Sequence, residues 1–245
     1  MTELPPAKPE AAEPKPRAVR PAHIGFRRYS TAEFLVALVL LFVATPFVED
    51  LRYGANLEVS LMTLVLVSGV LAVGRSRNTL IWAAVLVVPA VTARWIHHFF
   101  PEHVFMAAVF LVAGLVYLVF LVVQFLRFIL RAPRVNSEVM CAGISVYLLL
   151  GLAWTLGYLL VATLADAQHP AFVFNAGPAT MTSFNAFYFS FVTLTTVGYG
   201  DITPVSNVAR ALAALEAMTG TLFVAVLISR LVALYSAHPP TGKAI

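Results

Sequence analysis

The sequence predicts an all-α membrane protein with six transmembrane helices and one short re-entrant helix followed by a loop. Of its 245 residues 60% are hydrophobic and only 11% are charged, whereas about a quarter of a soluble domain is charged. The charges gather in short clusters, and the long apolar stretches between them are nearly free of acid and base, as hydrocarbon requires. One aromatic run between the last two long stretches is too short to cross a bilayer.

Six stretches are long and apolar enough to cross roughly 30 Å of hydrocarbon as helices. In chain order they are Thr31–Val48, Leu57–Val73, Thr79–Trp95, Val104–Leu126, Val139–Leu164 and Val208–Tyr235. Ser30 or Thr31 is a candidate cap for the first helix, and Asn78 or Thr79 for the third. Pro46 is expected to kink the end of the first.

Basic residues alternate between the two sides of these spans. One side holds Lys8, Lys15, Arg17, Arg20, Arg27 and Arg28, then Arg75 and Arg77, and then Arg127, Arg131 and Arg134. The loops on the other side are mainly acidic. Because basic loops stay in the cytoplasm, both termini are predicted to be cytoplasmic, in a plasma (inner) membrane. The net charge of +4 follows from this bias and indicates no nucleic-acid partner.

The stretch between the fifth and sixth spans has three parts. Residues 166–180 contain Pro170, Gly177 and Pro178 and are predicted to form an outer loop. Ser183–Leu194 is predicted to be a re-entrant helix. Non-helical backbone after it is tolerable only where protein or a water-filled cavity surrounds it.

The segment after the short helix reads Thr195-Thr196-Val197-Gly198-Tyr199-Gly200-Asp201. Its glycines stand at alternate positions, where left-handed backbone angles cost little, so successive carbonyls can be stacked toward one axis. The segment strongly resembles the selectivity filter of potassium channels. The resemblance implies K+ at the carbonyls of Thr196, Val197, Gly198 and Tyr199 and at the Thr196 hydroxyl. Since the chain holds one copy of the motif, it also implies a homotetramer.

The resemblance extends over Val139–Tyr235, as outer helix, pore helix, filter and inner helix. It implies that Thr195 and Asp201 support the filter and that Tyr188 is the partner of Asp201. Some family members have a glutamate in the pore helix where this chain has Val192, so a carboxyl–carboxylate pair behind the filter is not expected here.

Two residues of the inner helix are candidates for filter support and gating. Glu216 is an intramembrane acid, which is costly and therefore a functional candidate. It either lines the cavity and attracts cations or hydrogen-bonds behind the filter in protonated form, and filter support is favoured. A purely structural contact with Thr219 or with Thr193 is the remaining alternative. Gly220 falls where the family has a hinge, and close helix packing is the equal alternative.

Residues 1–29 are proline-rich and predicted to be a disordered cytoplasmic tail. Residues 30–131 are predicted to form a four-helix transmembrane domain, residues 137–236 the pore domain and residues 237–245 a short cytoplasmic tail. The four helices occupy the position of a voltage sensor. Their fourth span holds no basic residue, and the first three spans were expected to hold no acidic partner, so voltage gating is not expected.

Histidines in the outer loop after the third helix are either solvated or a proton or metal sensor. They are His97, His98 and His103, beside Arg94 and Glu102, with His169 in the next outer loop.

The sequence therefore predicts a homotetrameric potassium channel of prokaryotic type that conducts K+ passively, with membrane lipid around it and no organic cofactor. No nucleophile–base pair, phosphate loop or metal cluster indicates an enzyme. After the inner helix only Ser236–Ile245 remain, which leaves no room for a cytoplasmic regulatory domain. The alternatives are a silent or regulatory channel subunit and a potassium transporter subunit.

Overall fold

A computed structural model describes residues 31–48, 54–73, 77–100, 104–166, 168–175 and 180–236. The two predicted tails, residues 1–29 and 237–245, lie outside these ranges, as do Glu102 and His103. The described residues form an all-α membrane fold with one small hairpin-like pair of strands. Its elements are α1 (Thr31–Val48), α2 (Gly54–Val73), α3 (Arg77–Phe99), α4 (Val104–Arg131), α5 (Ser137–Leu164), β1 (Phe172–Phe174), α6 (Ser183–Leu194), β2 (Ile202–Pro204) and α7 (Asn207–Ser236).

Five of the described helices, α2 to α5 and α7, are long and apolar enough to cross a membrane. The apolar part of α1, Thr31–Phe47, falls just short of that length. The all-α membrane architecture is thus confirmed, and the first of the six predicted spans stays a prediction. The 12-residue α6 is much too short to cross, because an α-helix rises only about 1.5 Å per residue.

Helix ends differ most from the sequence-based bounds. α4 continues past the apolar stretch to Arg131, so Arg127 and Arg131 lie on its last turns. Hydropathy falls at these charges, but the helical hydrogen bonds continue until Pro133, which cannot extend a helix. The next helix, α5, begins at a new cap, where the Val139 amide donates to the Asn136 side chain at 3.0 Å. In α3 the expected caps Asn78 and Thr79 lie inside the helix.

The first four helices pack against one another and against α5 around one apolar core. Phe34 of α1 stacks on Phe125 of α4 with ring centroids 5.3 Å apart. The buried Tyr117 hydroxyl of α4 donates to the Leu66 carbonyl of α2 at 2.6 Å. The four helices therefore form a packed unit against α5, and α5 also contacts α6 and α7.

The second span, α2, contains an acidic residue, whereas the sequence-based expectation is no acidic partner within the first three spans. α2 begins at Gly54, three residues earlier than predicted, and Glu58 lies within both the predicted and the observed helix. Glu58 accepts a hydrogen bond from Arg94 of α3 at 3.0 Å. His98 contacts the Asn56 side chain at 2.6 Å. Within the described ranges, no three His, Cys, Asp or Glu side chains converge as a metal site.

The inner helix contacts the end of α4 near its own carboxyl end. The Arg230 guanidinium of α7 donates to the Leu130 carbonyl at 2.9 Å. The last carbonyls of a helix have no partner within the helix, and they carry partial negative charge that attracts a cation. Arg230 thus links the end of α4 to the inner helix.

Candidate functional site

The re-entrant helix α6 has the predicted bounds. The Thr182 side chain caps it by accepting from the Asn185 amide at 3.1 Å. Aromatic side chains surround its other end. Phe42 of α1 meets Phe187 and Phe191 edge-on, with ring centroids 4.8 and 4.5 Å away. The helix α1 therefore packs directly against α6.

Phe191 also requires a glycine on α5. A Cβ built on Gly151 would lie 2.0 Å from Cζ of Phe191, far inside van der Waals contact. Phe42 and Phe187 also pack against the same ring, so the ring has little freedom to yield. Gly151 is what lets α5 approach the re-entrant helix.

Gly151→Ala is expected to lower the melting temperature of the purified protein by several degrees, because overpacking costs about 1–3 kcal/mol. Adding Phe191→Leu should restore most of the loss by removing the ring that clashes. Gly157→Ala on the same helix is the control, since a Cβ there meets nothing within 4 Å. A Gly151→Ala protein as stable as the control would contradict the close approach.

The residues after α6 fold back onto its last turn. The Val197 and Gly198 amides both donate to the Val192 carbonyl, at 2.9 and 3.3 Å. In a trans peptide the N–H of one residue and the C=O of the residue before it point in opposite directions. The carbonyls of Thr196 and Val197 therefore point away from the helix.

The backbone of this segment alternates in handedness. Thr196, Gly198 and Gly200 have positive φ angles of 61°, 56° and 77°, the only such angles among the described residues. Val197 and Tyr199, between them, have ordinary φ. Thr196 is unusual, because a β-branched residue rarely takes a left-handed conformation. Strain of this kind is concentrated at functional sites.

The carbonyl oxygens of Thr196, Val197, Gly198 and Tyr199 accept no hydrogen bond from any described residue. Backbone carbonyls are strong acceptors and are nearly always paired in folded proteins. These four consecutive carbonyls thus form a row of oxygen acceptors without a donor in the part of the chain that the structure describes.

Tyr188 of α6 and Asp201 lie together, as the sequence predicted. The Tyr188 side chain is hydrogen-bonded to that of Asp201. The Tyr188 ring lies parallel to that of Tyr199, with centroids 6.5 Å apart. Both ends of this segment are thus tied to α6, since the Thr195 hydroxyl donates to the Phe191 carbonyl at 2.6 Å.

A contact that the sequence did not indicate holds the outer end of the segment. β1 pairs antiparallel with β2, with Val173 opposite Thr203. This pairing brings Asn175 to the segment, where its side chain donates to the Gly200 carbonyl and its amide to the Asp201 carbonyl. Asn175 is therefore a further residue positioning the end of the row of carbonyls.

Glu216 of α7 is completely buried. Its carboxyl group is hydrogen-bonded to Ser190 of α6, at 2.5 Å, and to Tyr158 of α5. The partners suggested by sequence, Thr193 and Thr219, are not the ones used. Thr219 instead donates to the Leu215 carbonyl one turn back, because a helical hydroxyl reaches its own backbone more easily than a side chain on the same face.

Gly220 lies one turn further along α7, against the end of α6. A Cβ built there would come within 2.2 Å of the Leu194 carbonyl oxygen. The inner helix therefore meets the re-entrant helix at two levels, at Glu216 and at Gly220.

Comparison with known proteins agrees with this geometry. An ion channel family model matches residues 139–237. The chain is 42% identical over 57 residues to two-pore potassium channel 4 of Arabidopsis thaliana, which is 23% of this chain and 20% of that protein. It is 38% identical over 73 residues to two pore potassium channel b of Oryza sativa subsp. japonica, which is 30% of this chain and 20% of that protein.

The matched segments span about a fifth of each of these relatives. No solved structure matches the chain significantly. The family match covers α5, α6, the row of free carbonyls and α7 together. Residues 139–237 therefore match an ion channel domain, and part of the chain is similar in sequence to plant potassium channels.

Proposed function

We propose that this chain is one subunit of a homotetrameric channel that conducts K+ passively through the carbonyls of Thr196, Val197, Gly198 and Tyr199. The observation that carries the proposal is the row of four consecutive carbonyl oxygens without a partner among the described residues. K+ leaves its water shell only where protein oxygens replace the lost contacts at little net cost. Such a row supplies successive layers of oxygen of one kind.

One copy of the row cannot surround an ion, and exposure supports assembly around an axis. Every residue from Thr195 to Asp201 is exposed in the single subunit. Val197 and Tyr199 are 53% and 72% exposed, although both are large and apolar. Further copies of the chain would bury this surface, and four copies around one axis would bring the carbonyls of each layer together.

The short helix supports a cation pathway through its dipole. The carboxyl end of α6 lies at Leu194, directly before the row of carbonyls. A helix carries partial negative charge at this end, which lowers the free energy of a nearby cation. This effect is largest where water is scarce, as it is in the middle of a membrane.

For the first four helices we propose a role other than voltage sensing. The described basic residues of α4 are Arg127 and Arg131, both on its last turns. A voltage sensor needs several charges within the field, because each contributes only about 2.3 kcal/mol per 100 mV. We place both termini in the cytoplasm and the filter's outer end outside, in the plasma (inner) membrane, from the distribution of basic residues.

The test is the reversal potential of the purified protein in planar bilayers. Under a potassium gradient, and then with sodium replacing potassium on one side, the current should reverse near the potassium equilibrium potential. A reversal near zero in mixed potassium and sodium would overturn selectivity and indicate a general cation pore. No current from a monodisperse tetramer, at any pH or lipid composition tried, would favour the silent or regulatory subunit. Uptake coupled to a second ion would favour the transporter subunit.

A further inference from the structure

The buried carboxyl group of Glu216 joins three helices behind the filter. Glu216 has no exposed surface, and its two partners come from different elements, Ser190 from α6 and Tyr158 from α5. No described lysine, arginine or histidine forms an ion pair with it. The other titratable side chain that faces it is Tyr147 of α5. An unpaired carboxylate in such a place is strongly disfavoured, because burial removes its hydration without a compensating charge.

The hydrogen bonds around Ser190 allow the protons to be counted. The Ser190 hydroxyl lies 2.8 Å from the Gly151 carbonyl and 2.5 Å from Oε1 of Glu216. A serine hydroxyl has one proton to donate, and a carbonyl can only accept. If that proton goes to Gly151, the proton in the contact between Ser190 and Glu216 must belong to the carboxyl group.

With a neutral Glu216, every group in the cluster has a partner. In this form Tyr158 would donate to Oε2 of Glu216, Glu216 to the Ser190 hydroxyl, and Ser190 to the Gly151 carbonyl, which also accepts from the Thr155 hydroxyl at 2.8 Å. The bonds run from α5 to α7, from α7 to α6 and from α6 back to α5. A fully satisfied buried network of this kind fixes the relative position of the elements it joins.

We propose that Glu216 is held as a neutral carboxylic acid and acts as a positioning residue, which ties the inner helix to the helix carrying the filter. The carboxyl that supports the filter helix thus comes from α7, whereas the position within α6 where related channels can have one is Val192. The protonation state of Glu216 and its hydrogen bonds to α5 and α6 do not depend on which ion the channel conducts. They can therefore be tested without measuring conduction.

The first experiment is infrared spectroscopy of the full-length protein in lipid at neutral pH, wild type against Glu216→Gln, in H2O and D2O. A neutral acid gives a carboxylic C=O stretching band that shifts in D2O and is missing from the Glu216→Gln spectrum. A difference spectrum that shows only the bands of an ionised carboxylate would overturn the proposal.

The second experiment compares the thermal stability of two variants of the same residue. Glutamine can donate to Ser190 through its NH2 and accept from Tyr158 through its C=O, as the neutral acid does. Glu216→Gln is therefore expected to melt within a degree or two of wild type, and Glu216→Ala many degrees lower or not to fold. Ser190→Ala, which breaks the connection at its middle, should also lower the melting temperature. A Glu216→Gln protein as unstable as Glu216→Ala would show that the charged form is the one required.

Discussion

Replacing Gly198 with alanine is expected to abolish selective potassium current while leaving a folded protein. Gly198 holds a φ of 56°, and a Cβ built there meets no described atom within 4 Å. The substitution therefore adds conformational strain rather than a clash within the subunit. A left-handed angle costs a residue with a Cβ about 1–2 kcal/mol, or roughly 4–8 kcal/mol over the four subunits of the proposed tetramer.

That strain is relieved most easily by rotating a peptide in the row of carbonyls. Thr196 already holds a positive φ of 61°, so the segment has little capacity for a second unfavourable residue. Rotation of the peptide after Gly198 would withdraw an oxygen from the ion pathway. A free-energy change of about 1.4 kcal/mol changes an equilibrium constant tenfold. Selectivity for K+ over Na+ should therefore fall at least tenfold if any current remains.

Reversal potentials of Gly198→Ala and Gly157→Ala channels, measured side by side in planar bilayers, provide the test. Gly157 is the matched control because a Cβ there also meets nothing within 4 Å, yet Gly157 lies inside α5. Size-exclusion chromatography shows whether both variants assemble as wild type does. Unchanged selectivity in a correctly assembled Gly198→Ala channel would contradict an ion pathway built from this segment.

Local patterns in the sequence were sufficient to predict five of the long helices and the short helix α6. The short aromatic run predicts α6 with the bounds that the structure has, Ser183–Leu194, and the structure adds Thr182 as its cap. Long apolar stretches predict the membrane helices, because charged residues are excluded from hydrocarbon. The ends of α4 could not be predicted in the same way, because Arg127 and Arg131 end the hydropathy signal without ending the helix.

Contacts between residues distant in the chain could not be predicted from these patterns. β1 and β2 have three residues each, too few to show an alternating pattern, so the position of Asn175 beside Gly200 was missed. Glu216 could be recognised as an intramembrane acid, but its partner Tyr158 is 58 residues earlier in the chain. The periodicity of a helix shows which of its faces is buried, but it does not show which residues of other helices pack against that face.

Gly220 is the residue for which packing and bending make opposite predictions. A Cβ at Gly220 would lie 2.2 Å from the Leu194 carbonyl oxygen and 3.0 Å from Cδ1 of Leu194. A side chain can rotate away, but this oxygen belongs to the backbone that leads directly into Thr195 and the filter. The packing explanation therefore predicts that any side chain at this position displaces α7 from α6.

Gly220→Ala is thus expected to lower the melting temperature by many degrees and to remove most of the current, since overpacking of this kind costs about 1–3 kcal/mol or more in each subunit. Gly157→Ala is again the control. If Gly220 acts as a hinge instead, alanine would leave the fold and the reversal potential intact and lower only the open probability, because it stiffens the helix. Differential scanning fluorimetry and single-channel recording on the same two variants separate these results. The larger effect is expected on stability, because the nearest atom is a carbonyl oxygen that cannot move without moving the filter.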